Sequence, residues 1–424
     1  MNTQATLFTL DDGNPLLAPL LPEKSFLEWA DCLSFDPLGS MHRKVGKIAE
    51  SHFQHIDQLF IPTRRAITLA MNLSAMMVAS LRRRDPRVLA NRKYLFQLAT
   101  FADQVNSHNI DMLPWIGEGA AGAILRGPTG CAKTHSCDAF LRLLPQCVAH
   151  GPNKECGWES LKQLVYLRVA MPSDASRKGL LVNIVWKLDE ALGTSYSEDV
   201  NARLTQEVLL VEVLKLLTVH RCGLLILEEV QERNVQAKVL GSEFANLFLK
   251  ILNTGIPLVL VGNPLSFEHI MGFTQDRRRL TSAGLFDFMP AFDQFEEEWA
   301  LDLVPGVWGW SLLSQADEIV PNLAQLLYER TGGIPALLGV YRRECMIEAF
   351  RAGSTHVTMA HMDAAYWSPS MASMHDLIET YRDKDLKGLA ERYSDQPVAY
   401  LAEMWERERR QRAATPPRLE VAHD

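Results

Sequence analysis

The 424-residue chain has little that would place it in a membrane or in a disulfide-stapled secreted fold. No apolar run approaches the roughly 20 residues that a bilayer-spanning helix needs. Met1-Asn2-Thr3-Gln4 lacks the basic start of a signal peptide. Cys32, Cys131, Cys137, Cys147, Cys156, Cys222 and Cys345 are scattered and odd in number. They form no C-x-x-C and no Cys/His pattern with zinc spacing, so reduced thiols of a cytoplasmic protein are expected. Internal repeats are absent. So is an excess of positive charge: 43 Lys and Arg against 51 Asp and Glu leave a net −8. That balance excludes a uniformly basic nucleic-acid coat but not a local basic channel. What is present is a hydrophobic fraction of 47%, enough for a large core, in a chain long enough for two or three domains.

The most informative stretch is Gly127-Pro128-Thr129-Gly130-Cys131-Ala132-Lys133-Thr134. It follows the apolar strand pattern Ala123–Arg126 and precedes helical text with Phe140, Leu141, Leu143 and Leu144. Strand, glycine-rich loop and helix is the context of a phosphate-cradling loop. Successive backbone N–H groups converge there on one anion, and the helix N-terminus adds partial positive charge. Lys133 is placed to reach the β- and γ-phosphates of a nucleotide such as ATP, and Thr134 to put its hydroxyl on Mg²⁺. Ala132 stands where a glycine normally precedes the lysine, adding a methyl group at a close approach.

A second element reinforces the first. Gly223–Leu227 is uniformly apolar, as in a strand buried on both faces, and ends in Glu228 and Glu229. Carboxylates in that position are costly unless they meet a cation or a donor. Glu228 is expected to hold magnesium, and Glu229 to act as the general base on the attacking water. Another apolar strand, Ile256–Val261, ends at Gly262-Asn263-Pro264. Asn263 is either a sensor that orients that water or a turn asparagine before proline. Arg277-Arg278-Arg279 follows. In a ring or filament of identical subunits an arginine there can reach a neighbour's γ-phosphate as a finger; the alternative is a solvated basic helix face.

Four regions are expected. Residues 1–115 read as a helical N-terminal region, with a helix over Arg64–Arg83 and a basic turn through Arg87 that either contacts DNA phosphates or a partner or is a solvated helix end. Residues 116–293 alternate strands (Ala123–Arg126, Gln163–Val169, Gly223–Leu227, Ile256–Val261 and around Phe286–Phe288) with helices, which argues for an α/β fold with a parallel sheet flanked by helices. Residues 294–366 read as a small helical lid with a helix over Ala336–Phe350, and 367–424 as a C-terminal helical segment near His375–Arg392 and a flexible tail. The flexible part begins at Ala413; before it, Glu403–Arg412 reads either as a charged helix whose exposed Trp405 anchors on a partner or as a frayed solvated terminus.

These motifs, in this order, resemble those of AAA+ ATPases. Tyr166-Leu167-Arg168-Val169 leading into Met171–Leu180, then Leu188–Tyr196, Leu227–Gln231, Thr331–Leu338 and Met374–Asp395, is similar to TnsC, the AAA+ regulator of heteromeric cut-and-paste transposons, and to the related TniB proteins. The resemblance covers roughly residues 120–396. It implies an ATP-hydrolysing protein that oligomerises on duplex DNA as a ring or filament. It also implies loading by a target selector (a DNA-binding protein or a CRISPR effector with its adaptor) and recruitment of the transposase. DNA is then expected to be met by the loop after the second strand, through Ser173, Ser176, Arg177 and Lys178. Where the family usually has Asp-Glu this chain has Glu228-Glu229, and the usual sensor-2 arginine is replaced in Ile334-Pro335-Ala336, with Arg342 or Arg343 as stand-ins. A signal-transducing NTPase and a helicase-loader-like protein are the rival functions.

Overall fold

The computed structural model describes residues 13–41, 48–105, 110–116, 119–172, 176–230 and 238–414. Seven strands are present among them: β1 Gly122–Arg126, β2 Cys147–His150, β3 Leu161–Leu164, β4 Leu167–Ala170, β5 Leu225–Val230, β6 Leu258–Gly262 and β7 Gly284–Asp287. Five form one sheet in the order β4-β5-β6-β1-β7, every adjacent pair parallel. Central strands of such a sheet are covered on both faces, which is why β1 and β6 are almost unbroken apolar runs. Parallel neighbours require crossovers. The helices Lys133–Leu141, Arg177–Leu192, Gln206–Val219, Lys238–Asn253 and Thr274–Leu280 lie in those connections. Leu180, Ile184, Leu209, Phe244 and Phe248 on these helices pack with Ile124, Leu225 and Leu258 of the sheet.

The expected strand over Gln163–Val169 is in fact two. β3 pairs antiparallel with β2 in a separate two-stranded sheet, whereas β4 joins the main sheet. Backbone donors divide at the junction: Val165 N–H bonds the Gln146 carbonyl at 2.8 Å, and Leu167 N–H bonds the Leu224 carbonyl at 2.8 Å. Two neighbours compete for one apolar run, and periodicity alone cannot see that. The remaining main-sheet strands sit within three residues of their expected places.

Contacts group the chain into two compact units. The first comprises the described parts of Met1–Ser34, Arg64–Gly127 and Lys133–Phe288. The second comprises those of Phe35–Thr63, Pro128–Ala132 and Met289–Asp424. The second unit is helical, with Leu323–Thr331, Pro335–Arg351, Met359–Tyr366, His375–Arg382, Leu386–Arg392 and Val398–Ala414. Trp299, Tyr341, Met346 and Phe53 fill its core.

The C-terminal helix departs from expectation. It begins at Val398, so Val398, Leu401 and Trp405 share one face at helical spacing. Trp405 is buried, packed on Ile334, Tyr381, Leu389 and Leu401, with its ring edge-on to Tyr381 at 6.2 Å. Starting the helix at Glu403 hid this stripe, and the exposed anchor expected at Trp405 is instead a core residue. Among the described residues no helix is long and apolar enough to cross a membrane.

Candidate nucleotide-binding site

The site begins where β1 ends. Phe288 N–H donates to the Arg126 carbonyl at 2.8 Å, and Arg126 Nε bonds Asp287 Oδ1 at 2.7 Å, fixing β1 against β7. At Gly127 a Cβ would sit 1.9 Å from the Phe288 carbonyl oxygen, so only glycine fits this strand exit. The helix Lys133–Leu141 then starts. Its first N–H groups have no intrahelical partner and form the natural anion-binding end. Lys133 Nζ donates to the Gly127 carbonyl at 2.7 Å, folding the lysine back over the loop it is expected to serve. Thr134 is exposed.

The loop's middle, Pro128–Ala132, belongs by its contacts to the second unit. There Ala336 N–H donates to the Gly130 carbonyl at 3.0 Å, beside the turn through Gly333 and Ile334. Gly130 has φ +83° and Ala132 has φ +61°. The alanine is therefore held in the left-handed region, where a Cβ costs about 1–2 kcal/mol. The sequence flagged the extra methyl; the structure shows that its cost is backbone strain.

At the acidic strand, Leu227 pairs with Leu260 but Val230 pairs with Gly262, so one extra residue lies in β5 at Glu228-Glu229. A bulge of this kind re-aims side chains out of the ladder. Glu228 is buried. Arg168 of β4 bonds Glu228 Oε2 through Nε and Asp138 Oδ1 through Nη1, so one guanidinium ties the acidic strand to the helix that follows the phosphate loop. Burial pulls the Arg168 pKa down, but the Glu228 hydrogen bond and the two carboxylate charges outweigh it and hold it above its ordinary value. Arg168 and Asp138 were not singled out by sequence reasoning. Their only signal was one cation between Leu167 and Val169 in a buried strand.

β6 lies between β1 and β5, so Asn263, just past its end, stands on the same sheet edge as Lys133 and Glu228. Asn263 caps the short helix Pro264–Phe267, its Oδ1 accepting from Leu265 N–H at 3.1 Å. The three arginines differ. Arg277 and Arg278 are exposed on the helix Thr274–Leu280, whereas Arg279 is half-buried and bonded to Asn253 Oδ1. Arg342 and Arg343 are both engaged within the second unit. Arg342 is fully buried, bonds the Trp310 carbonyl at 2.9 and 3.0 Å and pairs with Asp317 at 2.7 Å. Arg343 pairs with Asp57 at 3.1 Å.

Of the residues expected to meet DNA, Ser173 lies outside the described residues. Ser176 caps the helix Arg177–Leu192, accepting from Gly179 N–H at 3.0 Å. Arg177 pairs with Glu243 at 2.8 Å, and Lys178 forms no ion pair among the described residues. A basic pair opposes the dipole at a helix start, and Glu243 offsets that opposition for Arg177.

The donor set of Thr134 and Glu228 is hard oxygen, which suits a magnesium ion that keeps most of its ligands as water and phosphate oxygens. Glu228 also accepts from Arg168 through Oε2.

Residues 117–271 match the AAA domain family. The fold is that of an AAA+ P-loop domain. Among solved structures, the chain is similar to the Aeropyrum pernix ORC1 protein in complex with DNA (17% identity, 73% of this chain and 75% of that one, TM-score 0.40). It is also similar to Drosophila ORC bound to DNA (14% identity, 94% and 82%, TM-score 0.39) and to the Thermotoga maritima RuvB Holliday junction branch migration motor (13% identity, 73% and 81%, TM-score 0.35). No curated protein matches the chain.

Proposed function

We propose that this chain is an ATP-hydrolysing regulator of DNA transposition that assembles on duplex DNA and links a target selector to a transposase, with hydrolysis as the timer for disassembly. One observation carries the nucleotide reading: a phosphate loop leaves β1 into the helix at Lys133, and the acidic end of β5 and Asn263 after β6 stand on the same edge of a parallel sheet. In this reading Lys133 and the helix N-terminus bind the phosphates, and Thr134 and Glu228 would hold Mg²⁺. Bound magnesium supplies charge neutralisation on the phosphate oxygens. Glu229 accepts the proton of the attacking water, Asn263 orients that water, and Arg277 or Arg278 is the finger. The transposition part rests on the sequence resemblance to TnsC from Tyr166 to Asp395. Backbone contact with DNA is assigned chiefly to Lys178, with Arg177 available if Glu243 releases it.

The test is assembly on duplex DNA with Mg²⁺ and ATP, read together with ATPase rate and transposase capture. Lys133→Ala should lose nucleotide binding and assembly. Glu229→Gln should bind and assemble but turn over about 10²–10⁴-fold more slowly. Unchanged turnover in Glu229→Gln rejects the base. Nucleotide-independent DNA binding, or no capture of a transposase encoded beside this chain, rejects the regulator.

A further inference from the structure

The basic turn after the helix Arg64–Arg83 is solvated only in part: Arg82 and Arg83 are exposed, but Arg84 is not. Arg83 donates to the Gly119 carbonyl at 2.8 Å, and Arg87 clamps Asp85 at 2.6–3.1 Å. Arg84 is 2% exposed. Its Nε and Nη2 bond Ser80 Oγ at 3.1 and 2.7 Å, and Nη2 also bonds the Cys222 carbonyl at 2.7 Å. Cys222 follows Arg221, a second arginine, which is 5% exposed. Neither guanidinium forms an ion pair among the described residues. Three buried polar atoms on these side chains have no hydrogen-bond partner, Arg84 Nη1, Arg221 Nε and the Tyr94 hydroxyl, and Arg84 lies close enough to both Tyr94 and Arg221 to act on them electrostatically.

This arrangement is expensive as it stands. A buried cation without a counter-charge, and a buried donor without a partner, each forfeit the hydration they had in the unfolded chain. The nearest acid in sequence, Asp85, is already taken by Arg87. Arg221 is moreover held at φ +53°, in the left-handed region, at a helix end where glycine is the usual residue. Each arginine follows a helix C-terminus, whose partial negative charge is roughly half a unit. Two such ends offset roughly one of the two positive charges, which leaves about one unit uncompensated. Burial pulls both guanidiniums down to about 10, and for Arg221 the neighbouring Arg84 charge acts in the same direction.

We propose that Arg84, Arg221 and Tyr94 together hold one small monovalent inorganic anion, of the size and charge of chloride, inside the first unit. The three orphaned donors are its ligands and its charge balances the pair. The anion then acts as a structural ion that pins the helix Arg64–Arg83 to the turn that leads into β5.

The probe is chloride itself, against gluconate at constant ionic strength, with the thermal midpoint of the full chain as readout. Above half-saturation the midpoint should climb by about 2–5 °C per tenfold increase in chloride. Arg221→Gly suits the left-handed backbone and removes one guanidinium, so it should fold and lose the chloride dependence. Tyr94→Phe, which deletes only the hydroxyl, should weaken it. Crystals in bromide should show an anomalous peak between the two guanidiniums. A midpoint indifferent to chloride, an equal rise in Arg221→Gly, or a bromide map empty at this position would overturn the proposal and leave water as the partner of these donors.

Discussion

Ala132 and Arg168 show how single residues set the state of the candidate nucleotide site. Ala132 sits at φ +61°, so its Cβ is strained in the loop conformation itself. Glycine would remove about 1–2 kcal/mol of strain and add about 0.5–1 kcal/mol of unfolded-state entropy. Ala132→Gly should therefore raise stability by up to about 1 kcal/mol in urea unfolding, with no loss of ATP affinity. A destabilised variant would mean that the methyl group makes a contact worth more than its strain. Arg168 poses the opposite case. Its side chain is 35% exposed and that of Glu228 is 8% exposed, so deleting the cation removes a charged partner from a buried carboxylate. Arg168→Leu should cost about 1–3 kcal/mol, less than a fully buried pair because water reaches the arginine. Adding Glu228→Gln should return most of that loss. Simple additivity in the double-mutant cycle would show that the two side chains do not depend on each other.

At the scale of elements, what was legible followed from burial on both faces. β1, β5 and β6 are apolar runs bounded by turn residues, and their order of appearance already implied crossovers and a parallel sheet. The polar ends of β5 and β6 were legible for the same reason, since a carboxylate or amide after four apolar residues needs a partner. β2 was not legible because Cys147–His150 is half-exposed and carries no alternation. The bulge at Glu228-Glu229 was not legible either, because register is a property of the pair β5·β6 and not of either strand. Nor was the Arg168 contact, which joins residues 60 apart in sequence.

The C-terminal helix gives this scale its prediction. Leu401 is fully buried and Trp405 nearly so, in one cluster with Ile334, Tyr381 and Leu389. Arg412 adds an ion pair with Asp293 and another with Glu408 at 2.7 Å. Trp405→Ala should destabilise the second unit by about 3–5 kcal/mol, the usual loss for a buried aromatic. Truncation after Tyr400 should be worse, since it removes Leu401 as well. A truncated protein with an unchanged unfolding midpoint would return this helix to the role of a detachable arm.

At the scale of the whole molecule, the functional question is whether one subunit completes another's site. Arg277 and Arg278 are exposed on the helix before β7, while Arg279 is held by Asn253. An exposed guanidinium with no ion pair among the described residues keeps its full donor set, and a γ-phosphate on a neighbouring copy is the partner that would use it. Arg279 would first have to leave Asn253, so the two exposed arginines are the ones to test first. If the arginine acts in trans, Arg277→Ala plus Arg278→Ala should abolish DNA-stimulated turnover while leaving ATP binding intact. Lys133→Ala should abolish both. Neither protein works alone, but in a mixed assembly the Lys133→Ala subunit still offers its arginines to a neighbour whose phosphate loop is whole. Turnover should therefore reappear on mixing and pass through a maximum near equal proportions, because that composition has the most productive junctions. Co-assembly on DNA must be measured in the same samples. Mixed assemblies that form normally and stay inactive at every ratio would place the arginines in their own subunit's chemistry, or outside the chemistry altogether.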